Sequence, residues 1–181
     1  MTSSPSVPLL EQLCRERYGS LIALATMLTG SRESAPDLVH EAMIAVFGKQ
    51  RSFPSLNSAD AYVRAAITTR FIDGGKKSAN RRDSERRFAR QAPTAVQEAA
   101  IADPELTRAL GTLPPRVRAC VVLRFLEDLS ISQTAAALHL SDGAVKRYVS
   151  DGLAALNTEL GTEYTGATPP RIAVIPRREL T

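Results

Sequence analysis

The run Leu129-Ser-Ile-Ser-Gln-Thr-Ala-Ala-Ala-Leu-His-Leu-Ser-Asp-Gly-Ala-Val-Lys-Arg-Tyr-Val149 decides how this chain is read. Ser130 and Ser141 each stand where a hydroxyl can cap a helix. They predict two short helices, about 131–138 and 142–157, joined by a tight turn. Ala135 supplies the small side chain that two crossing helices need, and Leu138, Leu140, Val145 and Val149 can fill the space between them. That pattern describes a helix-turn-helix. Its second helix begins at Ser141 and presents Asp142, Gly143, Lys146, Arg147 and Ser150 on one face. The N-terminal end of such a helix can enter a DNA major groove, where Arg and Lys pair with guanine edges. An ordinary helical hairpin with a solvated polar face shares this pattern, so the run alone leaves both readings open.

Upstream, Asp103-Pro104 opens a short helix over 105–113, and Pro114-Pro115 starts the next at Arg116. Val117, Cys120, Val121, Val122, Leu123, Phe125 and Leu126 make that helix strongly apolar. In the first half of the chain, Leu10, Leu13, Leu21, Leu24 and Leu28 recur on one helical face, and Gly30 ends that helix. A second helix begins near Ser34 to Pro36, with a candidate cap and then Pro in the first turn, and ends around Gly48, with Leu38, Val39, Ala42, Met43, Val46 and Phe47 as its apolar side. After a loop from Arg51 to Asn57, either Asn57 or Ser58 can cap a third helix carrying Tyr62, Val63, Ala66, Ile67 and Phe71. Each Gly in a helix interior costs about 1 kcal/mol relative to Ala, so Gly74-Gly75 is expected to weaken or break that helix. These three helices can enclose a small core of their own.

Residues 78–102 hold few large apolar side chains and read as a connector. The expected organisation is all-α: two small helical domains, 1–83 and 103–160, a flexible linker at 84–102, and an irregular tail at 161–181. Ile172-Ala-Val-Ile175 in the tail is apolar enough to dock somewhere.

Of the 181 residues, 44% are apolar and 23% charged, as in soluble globular proteins. No stretch approaches the roughly 20 apolar residues of a membrane-spanning helix, and the first eight residues do not read as a signal peptide. A cytoplasmic protein without membrane insertion is the expectation. Cys14 and Cys120 belong to no CxxC pair, and His40 and His139 are the sole histidines, so no zinc-type cluster and no cofactor are expected. The two cysteines read as reduced thiols, although sequence leaves a disulfide open. The net charge of +4 is unevenly spread. Between Arg64 and Arg90 stand nine basic residues against three acids, a local +6 that leaves about −2 for the rest. Such a stripe suits either a polyanion partner or a solvated face.

Two separate stretches carry a family likeness. Leu113-Pro-Pro-Arg-Val-Arg-Ala-Cys-Val-Val-Leu-Arg-Phe-Leu-Glu-Asp-Leu-Ser130 with the helix-turn-helix resembles region four of the sigma-70 family, most of all its extracytoplasmic-function (ECF) class. Asp37-Leu-Val-His-Glu-Ala-Met-Ile-Ala-Val-Phe47, and Ala61-Tyr-Val-Arg64 through Ile72-Asp73 with the basic run after it, resemble region two of that class. The matches stand in the family's order and cover about residues 9–157.

The resemblance implies a promoter-specificity subunit that binds core RNA polymerase, recognises promoter DNA at the minus-ten and minus-thirty-five elements and starts transcription. Asp37, His40 and Glu41 would dock on the polymerase. Asn57, Tyr62, Arg64, Arg70, Lys76, Lys77, Arg81 and Arg82 would bind the minus-ten element. Ser141, Asp142, Gly143, Lys146, Arg147 and Ser150 would read the minus-thirty-five element. An anti-sigma factor is an expected partner by analogy, and the free chain is expected to be a monomer.

The chain departs from the family pattern in places. Tyr62 and Phe47 stand where Trp is usual, Thr69 where Asn is common, Gly74-Gly75 where bulkier residues are usual, His139 at the turn glycine, and Tyr148 and Asp151 at commonly basic positions. The alternative function is a polymerase-independent helix-turn-helix repressor or activator. An enzyme is not expected, since the chain has no GxxxxGK[ST] loop, GxSxG elbow or HExxH helix. Asp73, the nearest thing to a loop acid, reads as structural.

Overall fold

Leu13, Leu21, Leu24 and Leu28 fall on one stripe of the first helix, and all four are fully buried. The computed structural model describes residues 6–48, 52–79 and 103–161, and every regular element among them is an α-helix. In chain order these are α1 (Ser6–Thr29), α2 (Ala35–Phe47), α3 (Leu56–Ala79), α4 (Pro104–Thr112), α5 (Pro115–Phe125), α6 (Ile131–Leu138) and α7 (Asp142–Leu160). The connector 84–102 and the tail from 162 onward lie outside the described residues.

Helices α1, α2 and α3 pack together as their apolar spacing requires. Val39, Ala42, Met43 and Val46 form the buried side of α2, and Ala59, Val63 and Ile67, each four apart, form that of α3. Gly30 ends α1 at φ +72°, a conformation that costs Gly little. Phe47, Phe53 and Tyr62 pack in series, the first pair edge to face and the second tilted, with centroids 5.4 Å apart, so aromatic packing persists without Trp.

Four local expectations are corrected. The α3 cap is neither Asn57 nor Ser58: the helix begins at Leu56, and the Ser58 amide donates to Ser55 Oγ at 3.2 Å. The loop accordingly ends at Ser55, before the expected Asn57. At the start of α2, Ser34 sits at the N-cap but its side chain makes no capping hydrogen bond. Helix α3 runs through Gly74-Gly75 to Ala79, which also places Asp73 in a helix and not in a loop. A helix already eighteen residues long adds each residue cheaply, because nucleation is the costly step, and about 1 kcal/mol per Gly does not stop it.

The core is not confined to the first three helices. Ala109 and Leu110 of α4, Ala119, Val121 and Val122 of α5 and Leu156 of α7 join Leu13, Leu24 and Ile67 in one continuous apolar cluster. A polar pin reinforces that junction. The Arg118 guanidinium, only 8% exposed, donates to the carbonyl of Leu28 at 2.7 Å and to those of Gly111 and Leu113 at 2.5 and 3.0 Å. It also lies 5.4 Å from the centroid of the Phe71 ring. A cation there satisfies carbonyls at the C-terminal ends of both α1 and α4, which have no partner within their own helices.

Candidate nucleic-acid interface

The helix-turn-helix forms as its sequence dictates. Ser130 and Gln133 make a reciprocal capping box: the Gln133 amide donates to Ser130 Oγ at 3.1 Å and the Ser130 amide to Gln133 Oε1 at 2.8 Å. His139 ends α6 in the left-handed region at φ 52° and ψ 47°, and the Leu140 amide reaches back to the Ala135 carbonyl at 2.9 Å. This is the usual glycine turn made with histidine, one of the residues that tolerate that region. The Ser141 hydroxyl accepts from the Ala144 amide at 3.2 Å and caps α7. Cys120, Ala135 and Val145 are buried between the helices, with Leu138, Leu140, Tyr148 and Val149 packed around them.

That packing turns the other side of α7 outward. Ser141, Asp142, Gly143, Lys146, Arg147 and Ser150 are all exposed. The Arg147 guanidinium lies 5.3 Å from the Tyr148 ring centroid, so the unexpected tyrosine provides a flat surface beside the basic pair.

The first half holds a second polar surface. Asp37, His40 and Glu41 are exposed on α2. His40 Nε2 and the Tyr18 hydroxyl lie 3.2 Å apart, the two rings stacked, and Arg70 donates to Glu41 Oε2 at 3.1 Å. Ile44, one turn beyond Glu41, is 71% exposed. Sequence reasoning missed it, because its helical position on the polar side was the only signal. A large aliphatic side chain kept in water beside a charged ridge suits a protein partner.

The residues expected at the minus-ten element are less uniformly available. Asn57 is exposed and accepts from Arg17 at 3.4 Å. Tyr62, 51% exposed, and Arg70 line a cleft of about 770 Å³ whose opposite wall is Ala136, Ala137 and His139 of the helix-turn-helix. Arg64 is fully engaged. Its Nε donates to Asp60 at 2.8 Å, Nη2 to Ser20 at 2.8 Å, and Nη1 to both oxygens of Glu127 at 2.6 and 2.5 Å. The carboxylates raise the Arg64 pKa against the opposing effect of its burial. Burial lifts Glu127 above the usual carboxylate range although Arg64 pulls it down. Asp60, Ser20 and Glu127 went unread in the sequence, since Glu127 looks like any acid after a helix. The side chains of Lys76 and Lys77, and all of Arg81 and Arg82, lie outside the described residues.

Both cysteines are free thiols, Cys14 exposed and Cys120 buried. Among the described residues no cluster of His, Cys, Asp and Glu could hold a metal ion. No described helix is long and apolar enough to cross a membrane.

Residues 104–156 match the family described as Sigma-70, region 4. Over 156 residues the chain is 32% identical to the RNA polymerase sigma-E factor of Streptomyces antibioticus, covering 84% of each protein. It is also 32% identical to that of Streptomyces coelicolor over 154 residues, covering 83% of this chain and 85% of the relative. The ECF RNA polymerase sigma factor SigE of Mycolicibacterium smegmatis is 27% identical over 81% of this chain and 60% of its own length. Among solved structures, the sigma factor RpoE of Bartonella quintana, crystallised with the anti-sigma factor NepR, aligns with a TM-score of 0.64. That alignment covers 85% of this chain and 98% of RpoE at 22% identity, a likeness of fold.

Proposed function

Because the chain belongs to the ECF class of the sigma-70 family of RNA polymerase sigma factors, we propose that it binds core RNA polymerase and selects promoters through two elements. The observation that carries this reading is the pairing, in one chain, of a capped helix-turn-helix with an outward basic face and a separate ridge on α2. The role is that of a non-enzymatic initiation factor.

Residues 1–83 form the unit that grips polymerase and the minus-ten element, and 103–160 the unit that reads the minus-thirty-five element. Asp37, His40, Glu41 and Ile44 meet the polymerase, the aliphatic tip of Ile44 supplying the area that desolvates on contact. Asn57, Tyr62, Arg64, Arg70 and the basic run Lys76, Lys77, Arg81 and Arg82 take the minus-ten strand, aromatic faces stacking on bases and cations holding phosphates. Ser141, Asp142, Gly143, Lys146, Arg147 and Ser150 read the minus-thirty-five duplex. An anti-sigma protein is the expected regulator, as for the RpoE neighbour crystallised with NepR.

In vitro transcription tests this. Core polymerase, genomic DNA fragments and the purified chain should give discrete new transcripts, and the chain should co-elute with core enzyme. Binding of a palindromic duplex by the chain alone, with no transcript in the presence of core, would instead make it an ordinary helix-turn-helix regulator.

A further inference from the structure

Several arginines have spent their donors inside the molecule. Arg70 and Arg108 bond to carboxylates, and Arg118 and Arg124 to backbone carbonyls. Arg147 on α7 is held differently. It is exposed, and among the described residues it interacts only with the ring of Tyr148, whose centroid lies 5.3 Å from the guanidinium carbon. Asp151, four positions further along α7, has the spacing of a helical ion pair. The guanidinium nevertheless lies over the ring and makes no such pair among the described residues.

That difference decides what Arg147 can still do. An ion pair occupies N–H donors. A stack occupies the face of the guanidinium and leaves its five in-plane donors available. The ring beneath is itself held, because Tyr148 is half-buried and packs against Cys120, Ala135 and Val145 between the helices. An arginine docking from solution gives up rotamer freedom on contact. One already laid on a fixed ring has given up part of it beforehand. Tyr148 stands at a commonly basic position, so this chain has exchanged a cation for a support under its neighbour's charge.

Resting on the promoter-binding reading above, we propose that Tyr148 is a positioning residue that holds the Arg147 guanidinium with its donor edge toward the O6 and N7 of a guanine in the minus-thirty-five duplex. Bidentate pairing with those two acceptors needs the guanidinium in the plane of the base, and the ring restrains that plane. Tyr148 need touch no base itself. Lys146, the other cation of this face, is a point charge with no plane to restrain. The minus-thirty-five element therefore contains a guanine whose recognition depends on an aromatic ring at the neighbouring position of the protein.

The test uses holoenzyme assembled from core polymerase and the full chain, on a promoter duplex that it transcribes. Each minus-thirty-five guanine is replaced in turn by 7-deazaguanine, which lacks the N7 acceptor. One replacement should weaken binding by the unsubstituted chain and leave binding by Arg147→Ala unchanged, which identifies the guanine. Tyr148→Phe keeps the ring and should keep both affinity and that sensitivity. Tyr148→Leu keeps apolar volume without a ring, and pentafluorophenylalanine in place of Tyr148 keeps a ring whose face is no longer negative. Each should lose about threefold in affinity, the size of an exposed cation–π contact, and much of the sensitivity to 7-deazaguanine. Neither loss should add to that of Arg147→Ala in a double variant. Far-UV circular dichroism reports whether Tyr148→Leu keeps its helices, and the fluorinated ring carries the test if it does not. Unchanged affinity with the fluorinated ring, losses that add in full to that of Arg147→Ala, or the absence of any guanine whose N7 matters through Arg147 would each overturn the proposal. So would a Tyr148→Phe chain as weak as Tyr148→Leu, which would make the hydroxyl the contact. Absence of any transcript with core enzyme would instead strike the promoter-binding reading itself.

Discussion

Two residues, Gly152 and Cys120, show how single positions set the packing. A Cβ at Gly152 would lie 2.5 Å from Cγ2 of Val121 and 3.0 Å from Cγ1 of Val117, so α7 meets α5 only because this position has no side chain. Gly152→Ala gains about 1 kcal/mol of helix propensity but overpacks the junction by about 1–3 kcal/mol. A net loss of about 1 kcal/mol is expected in urea unfolding, whereas Gly143→Ala, with open space around it, should be neutral or mildly stabilising. Cys120 tests burial in another way. Its thiol is pushed up to about 11 by desolvation, with Arg116 pulling weakly in the other direction. At pH 8 iodoacetamide should label one cysteine per folded chain, Cys14, and two in denaturant. Because the folded value is raised, the neutral thiol's contribution to stability is intact below about pH 9. It is lost as the pH climbs from there to about 11. Two equally reactive thiols in the folded chain would contradict the burial of Cys120.

At the scale of elements, most of what matters was readable. Both serine caps of the helix-turn-helix form, with α6 spanning the expected 131–138. Such caps depend on atoms within about four residues of each other, and that distance is visible in a sequence. The exceptions have the same origin. Helix α3 passes through Gly74-Gly75 because the preceding turns carry it. Ile44 is left in water because it stands away from the Val39, Ala42, Met43 and Val46 side of α2, a helical position that was in the sequence but went unread. For α7 the expectation is functional. Lys146→Ala with Arg147→Ala should weaken use of minus-thirty-five-dependent promoters by about 1–3 kcal/mol for each side chain that pairs with a base edge. Stability and core-polymerase binding should stay near the original. In vitro transcription with promoter variants measures this, and unchanged promoter choice would remove the recognition role from this face.

For the whole molecule, the shared core predicts cooperative behaviour. One apolar cluster draws on α1 through α5 and on α7, so denaturant should unfold the described helices in a single transition. Arg118→Met removes the donor to three carbonyls and the stack on Phe71. With a hydrogen bond from a charged group contributing about 1.5–3 kcal/mol, a loss of about 3 kcal/mol is expected. The two halves should then unfold in separate steps, and a single, unshifted transition would show that Arg118 does not join them. The helices, the two serine caps of the helix-turn-helix, the turn at His139 and the family likeness of both halves were determined by the sequence itself, through spacings and neighbours a few residues apart. The joining of the halves was decided only by tertiary structure. Arg118 meets Leu28 across 90 positions and Arg64 meets Glu127 across 63, and no local pattern records a partner that distant. Which carboxylate a buried guanidinium finds depends on how helices stack in space, and that stacking is set by the collective burial of apolar surface.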